Sequence, residues 1–175
     1  MSEPELHEID LFNEVKDGAV YPANERWHSD LLEQYKLYVE MADRISQRRA
    51  AANTYFLSVN SAILAFVGYL TSRDSTDKLW MLAAAGVALC WLWKELIASY
   101  RNLNKAKFKI VHTIEKRLAI CPYEHEWTLM GRGTNPKLYR PVSHVESGVP
   151  WVFIVLHLIV LYQTFPWLPF IAAFS

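Results

Sequence analysis

Three long apolar runs set the pattern of this chain. Ala50–Thr71 and Leu79–Ile97 each supply roughly the 20 residues needed to cross a ~30 Å hydrocarbon core, and a short polar connector beginning at Ser72 joins them. A third run, Val149–Phe174, follows a long polar interval. No soluble two-layer domain requires three such runs in so short a chain. The pattern predicts an all-α integral membrane protein with three transmembrane helices, the first two spanning about 50–71 and 79–97.

Below the spans the apolar spacing changes to a seven-residue rhythm. Leu31, Tyr35, Tyr38, Ala42, Ile45 and Arg49 recur in alternating steps of four and three, as do Leu96, Tyr100, Leu103, Lys107, Ile110 and Ile114. That is a coiled-coil seam. No Gly or Pro separates Asn24 from Gly68, so the first helix is expected to run unbroken from an Asn24 N-cap, about 70 Å long. The second continues to about Ala119, and Pro122 ends it. Two of the three transmembrane helices thus continue into a long cytoplasmic helical hairpin over 24–120. Tyr35, Tyr38, Leu103, Ile110 and Ile114 are its candidate packing and assembly residues.

Flanking segments complete the organisation. In 1–23, Leu6, Ile9, Phe12 and Val15 suggest a short amphipathic helix whose acidic face favours docking on the chain's own helices over anionic lipid. Segment 121–148 is punctuated by six Gly or Pro residues but carries Trp127, Leu129 and Tyr139, which predicts an ordered cytoplasmic loop packed on the hairpin. Ser147 is the expected cap of the third helix, in segment 149–175, with Pro150 in its first turn.

Net charge is zero, yet its distribution is ordered. Arg44, Arg48 and Arg49 precede the first span, Lys94, Arg101, Lys105, Lys107 and Lys109 flank or follow the second, and Arg132, Lys137 and Arg140 precede the third. The tail after the third span carries no base. By the positive-inside rule the N-terminus and 98–148 are cytoplasmic, with the connector and C-terminus outside. The acidic start MSEPELHEIDLF has no basic region followed by an apolar stretch, so no signal peptide is expected. Cys90 and Cys121 lie at different depths and give neither a disulfide framework nor a metal spacing; Cys90 reads as a small packing residue.

Candidate chemistry is sparse. Ser46, Asn53 and Asn60 recur every seven residues and form one polar face on the first helix. Such a face either glues helices through hydrogen bonds or lines an aqueous path in an oligomer. His157, near the middle of the third span, is a candidate pH-sensitive group, although no carboxylate accompanies it at that depth. His125 with Glu124, Glu126, His144 and Glu146 matches no standard metal spacing and reads as hydrated surface. Phosphate-binding glycine loops, hydrolase elbows and zinc-protease motifs are lacking, so no enzyme activity, metal or cofactor is expected. The bases alternate with apolar residues on membrane-proximal helices, which suits orientation and lipid headgroups better than nucleic acid.

Three passages carry a family resemblance: YKLYVEMADRISQRRAAANTYFLSVNSAIL (35–64), SYRNLNKAKFKIVHTIEKRL (99–118), and PYEHEW with YRPVSHVESGVPWVF (122–127, 139–153). Together they resemble the RipA family of small bacterial integral membrane proteins. The resemblance implies an octamer in the bacterial inner membrane, supporting adaptation to stress or host-cell growth with no catalytic residues to carry over. The implied partners are the lipid bilayer, further copies of the chain and a cytoplasmic protein. A looser similarity, limited to the span–connector–span region, is to two-span effectors of bacterial conflict systems that perforate membranes. The leading expectation is therefore a non-enzymatic structural, sensory or scaffolding oligomer; the alternative is a channel or membrane-perturbing effector.

The charge pattern makes a direct prediction. A cysteine introduced in place of Ser175 should react with an impermeant thiol reagent from outside intact cells. Reaction from the cytoplasmic side alone would overturn the orientation.

Overall fold

The computed structural model describes residues 11, 24–73, 78–134 and 145–166. The expected N-terminal amphipathic helix lies outside the described residues, as do 74–77 of the connector, Tyr139 and His144, and everything after 166. Four α-helices and no strands occur among the described residues. They are α1 (Asn24–Thr71, 48 residues), α2 (Leu79–Glu115, 37 residues), α3 (Pro122–Leu129, 8 residues) and α4 (Val149–Thr164, 16 residues). Helices α1 and α2 are each long and apolar enough to cross a membrane, and α4 is a shorter apolar helix.

Continuity of α1 follows from its composition, since no helix breaker intervenes before Gly68. Side-chain contacts fix how α2 lies against it. Tyr35 meets Glu115, Tyr38 meets Lys107, Asn53 meets Trp93 and Asn60 meets Cys90. Numbers rise along α1 as they fall along α2, so the pair is antiparallel. Helix α4 packs against α2, which therefore occupies the middle.

The seam on α2 matches the sequence expectation at Lys107 and Ile114 and departs from it by one position at Ile97 and Val111. Its buried residues include Trp93, Ile97, Lys107, Val111 and Ile114, whereas Leu103 is 47% exposed and Ile110 only half-buried. On α1, Leu31, Ala42 and Ile45 are buried as their spacing implies, and Tyr35 and Tyr38 are half-buried. The α2 seam shifts because Trp93, anchored by α4 as well as α1, sets the rotation of the helix.

Helix α2 also stops at Glu115, short of the expected Ala119. There the backbone tightens to three-residue turns, Arg117 N to Ile114 O and Leu118 N to Glu115 O, and the Glu115 side chain is 1% exposed. Its Oε1 accepts hydrogen bonds from the Tyr35 hydroxyl at 2.9 Å and the Tyr123 amide at 3.0 Å, and its Oε2 from the Glu124 amide at 3.1 Å. Helix α3 begins with Pro122 and has no side-chain cap at Cys121, so Glu115 takes the capping role from a distance. Burial and the Glu115 carboxylate push the Tyr35 phenol above its ordinary value. Tyr123 is raised too, by burial and then by nearby carboxylates led by Asp43. Beyond α3, Glu124 binds His112 at 3.1 Å and Arg132 at 2.6 Å. The chain then turns through Gly131, Arg132 and Gly133, all in the left-handed region, with Gly133 beneath the Trp127 ring. Segment 121–134 is thus helix and 3₁₀ turn where the sequence suggested an ordered loop.

Replacing Glu115 by Ala leaves two amides and a half-buried phenol without their acceptor, a loss of about 3 kcal/mol at the α3 attachment. Amide hydrogen exchange should show Tyr123 and Glu124 losing protection; unchanged exchange would contradict the remote cap. Tyr35 is raised relative to the unfolded chain, so its contribution is complete below pH ~10 and lost as pH climbs beyond it. Tyr35→Phe should remove that alkaline component of the exchange profile.

Candidate functional site

On α2, positions 83, 86, 90, 93 and 97 recur in steps of three and four and form its buried face. Ala83, Gly86 and Cys90 make that face thin, so a side chain from each neighbouring helix can reach one point. Asn60 enters from α1 and His157 from α4, and both are 0% exposed.

The hydrogen bonds at this point are ordered by what each atom can do. Asn60 Nδ2 donates to the Phe56 carbonyl at 2.8 Å, which leaves Oδ1 as acceptor. Cys90 Sγ donates to Oδ1 at 3.1 Å, and His157 Nε2 lies 3.1 Å from the same oxygen. Because Oδ1 only accepts, Nε2 carries the proton and His157 Nδ1 holds a lone pair. Nδ1 is buried without a hydrogen-bond partner. The imidazole lies directly on Gly86, where an added Cβ would fall 2.5 Å from both ring nitrogens. One amide oxygen therefore ties three helices together.

A second layer sits beside it. Trp93, 2% exposed, donates from Nε1 to Asn53 Oδ1 at 2.9 Å. Its ring stacks on Phe56 of α1, with centroids 5.9 Å apart and planes 8° apart, and meets Phe153 of α4 at 6.1 Å. Trp93 thus repeats the three-helix contact in aromatic form. Towards the connector, Trp80 packs edge-on to Phe165 at 5.6 Å.

The seven-residue polar face of α1 is accordingly divided. Asn53 and Asn60 turn into the helix interface, while Ser46 bonds back to the Ala42 carbonyl at 3.4 Å. Thr54, Ser58 and Thr71 likewise return their hydroxyls to carbonyls four residues earlier. These hydroxyls need no water to satisfy them.

Where α4 begins, the environment becomes charged. Arg49 Nε lies 3.3 Å from Glu146 Oε2, and Lys94 Nζ sits over the Trp91 ring at 4.3 Å and the Trp151 ring at 5.7 Å. Among the other residues singled out by sequence, Tyr35 bonds Glu115, Tyr38 stacks under Lys107 at 4.4 Å, and Ile114 is buried. Glu124 is engaged by His112 and Arg132, His125 is exposed, and Glu146 pairs with Arg49. Among the described residues no three His, Cys, Asp or Glu side chains converge to hold a metal ion.

Sequence reasoning marked Asn60 and His157 separately but did not join them. It passed over Gly86 and Glu115 and took Cys90 only as a small packing residue. The available signal was the run of small residues Ala83, Gly86 and Cys90 on one face of a span, which permits close helix approach.

The family model for the octameric membrane protein family (8xMP) matches residues 32–166. That range contains every residue of both layers. No curated protein and no solved structure matches the chain.

Gly86 gives the sharpest test of this packing. Gly86→Ala pushes a methyl into the His157 ring and should destabilise the helix bundle by about 1–3 kcal/mol. The melting midpoint in detergent should fall, and adding His157→Ala should recover part of the loss. A single variant as stable as the parent would refute the contact.

Proposed function

This chain belongs to the octameric membrane protein family, and from that premise we propose that it is a non-enzymatic scaffold, built as a ring of eight copies in the bacterial inner membrane. Each copy spans the bilayer three times, through α1, α2 and the apolar run that starts with α4. The N-terminus and the long extensions of α1 and α2 lie in the cytoplasm, and the C-terminus lies outside. The basic extensions present a surface to a cytoplasmic protein partner rather than to nucleic acid, in a role that supports adaptation to stress.

One observation carries this reading: the amides of the α1 span, and the imidazole that meets them, are spent within the protomer. Asn53 and Asn60 are bonded to Trp93, Cys90 and His157, and the Thr54 and Ser58 hydroxyls are bonded to their own helix. A conducting pore needs a continuous wetted strip, and an apolar constriction closes it by dewetting. Val67 is buried beyond Asn60 and Tyr69 faces outward, so the face of α1 continues towards the connector in apolar form. What remains outside is apolar as well. Leu57 and Phe66 on α1, Trp91 and Leu92 on α2, and Val152, Val155 and Ile159 on α4 are all more than 40% exposed. Surface of that kind is suited to lipid and to neighbouring copies.

Mass measurement in mild detergent should give a single species of about eight chains, as the family's name indicates; a monodisperse monomer would end the scaffold reading. Asn53→Leu combined with Asn60→Leu should damage assembly, and the reconstituted parent should pass little ion current between pH 5.5 and 7, around histidine's ordinary value of ~6.5. Robust currents abolished by those two substitutions, with assembly intact, would establish a channel instead.

A further inference from the structure

Helix α4 begins at Val149, whereas α1 and α2 run on past it, which leaves a step in the bundle. Two contacts fix its level: Arg49 of α1 against Glu146, just before α4, and Lys94 of α2 against Trp151, in α4's first turn. Arg101 lies seven residues beyond Lys94 and so projects from the same side of α2, just past the step. Asn104 follows one turn later, within reach of Arg101.

The polar atoms here do not balance. Arg101 Nε and Asn104 Oδ1 are buried with no hydrogen-bond partner. Arg49 Nε and Glu146 Oε2 stand 3.3 Å apart as an ion pair, yet neither atom makes a directed hydrogen bond. Arg49, Lys94 and Arg101 are set against Glu95 and Glu146, so positive charge is in excess. Buried donors and acceptors are ordinarily matched, and leaving one unmatched is costly. The step therefore presents guanidinium N–H groups that fit an anionic oxygen and an amide oxygen that fits a hydroxyl donor. It also lies beside half-exposed Trp91 and Trp151, the residue type that gathers at headgroup level.

We propose that this step is a binding site for an acidic phospholipid with a hydroxyl-bearing headgroup, of phosphatidylglycerol chemistry. The phosphate lies between Arg49 and Arg101, and a headgroup hydroxyl donates to Asn104 Oδ1. The acyl chains follow the exposed apolar face of α4. The inference rests on the proposed placement of α1, α2 and α4 in the bilayer, and it adds a lipid that the helices select.

The test is native mass spectrometry of the delipidated oligomer after adding phosphatidylglycerol, phosphatidic acid, phosphatidylcholine or millimolar inorganic phosphate. The parent should retain phosphatidylglycerol over phosphatidylcholine. Arg101→Gln should weaken that retention about tenfold, the scale of one charge-assisted hydrogen bond. Lys116→Gln, an exposed change at the far end of α2, should not alter it. Asn104→Leu should erase the preference for phosphatidylglycerol over phosphatidic acid, and this arm decides the matter if Arg101→Gln fails to assemble. Equal retention of phosphatidylglycerol and phosphatidylcholine, or an equal loss in Lys116→Gln, would overturn the proposal. Inorganic phosphate displacing the lipid completely would assign the site to a soluble anion and overturn the lipid. Failure of the membrane arrangement shows differently, as a chain recovered without detergent or labelled at position 175 from the wrong side.

Discussion

A single amide oxygen, Asn60 Oδ1, sets the relation of three helices. It accepts from Cys90 on α2 and from His157 on α4, while its own amide nitrogen is held by the Phe56 carbonyl. In a hydrocarbon environment no solvent replaces a lost partner, so each of these groups is confined to the one arrangement that satisfies it. Apolar contacts between helices tolerate sliding and rotation; a buried hydrogen bond does not. Each such bond contributes only about 0.5–2 kcal/mol, so its importance lies in fixing register more than in adding stability. Gly86 makes the arrangement possible, since any larger residue would hold α4 too far from α2 for His157 to reach Asn60.

Once that register is fixed, the second layer and the charged step fall into place along α2. Trp93 lies almost two turns from Gly86 on the same face, so its ring fills the gap between Phe56 and Phe153. The boundary follows at once, where Lys94, next to Trp93, meets Trp151, and Arg49, one turn before Asn53 on α1, meets Glu146. The far end of α2 is governed separately. Glu115 is a buried carboxylate stabilised by three hydrogen bonds, two of them from the first turn of α3. A charge in that position is tolerated because it faces a helix N-terminus, whose partial positive charge and unmatched amides suit it. The antiparallel pair thus carries one polar cluster within the apolar stretch and a second, around Glu115, at the far end of α2.

Much of this was legible before any coordinates. Length of apolar run, the lack of helix breakers after Asn24 and the seven-residue spacing together specify α1 and most of α2, because these are local properties of one strand of chain. The misses share a different character. Within one copy, Val111 and Ile97 rather than Ile110 and Leu96 turn inward, beside a Trp93 that contacts a third helix, while Leu103 stays exposed and free to pack between copies. Glu115 looked like one more helical glutamate, since its partners Tyr35 and Tyr123 come from elements far apart or after a turn. Cys90 was read as inert because a thiol is a weak donor whose value appears only beside a buried acceptor. His157 was noticed for its depth, yet its partner lies 97 residues away along the chain. Hydrogen bonds of that separation leave no periodic trace in sequence.

The distribution of polar and apolar groups also separates two tasks within the fold. Asn53, Asn60, Trp93 and His157 point inward and position α1, α2 and α4 against one another, while the exposed Thr54 and Ser58 hydroxyls bond to their own helix. Residues directed outward, such as Phe66, Leu92 and Val155, are apolar and unspecific in direction. Lipid tails are as apolar as leucine, so this surface alone gives neighbouring copies little reason to prefer each other over lipid. Selectivity between copies must then come from where the helices leave the bilayer. There water restores the hydrophobic effect, and Leu32, Leu37, Met41 and Leu103 stand exposed on the extensions of α1 and α2. Burying those four side chains between copies removes apolar area from water at roughly 25 cal/mol per Å², a gain the spans lack. The long extensions are therefore the part of the chain best placed to drive assembly, while the buried polar cluster ensures that every copy arrives with the same shape.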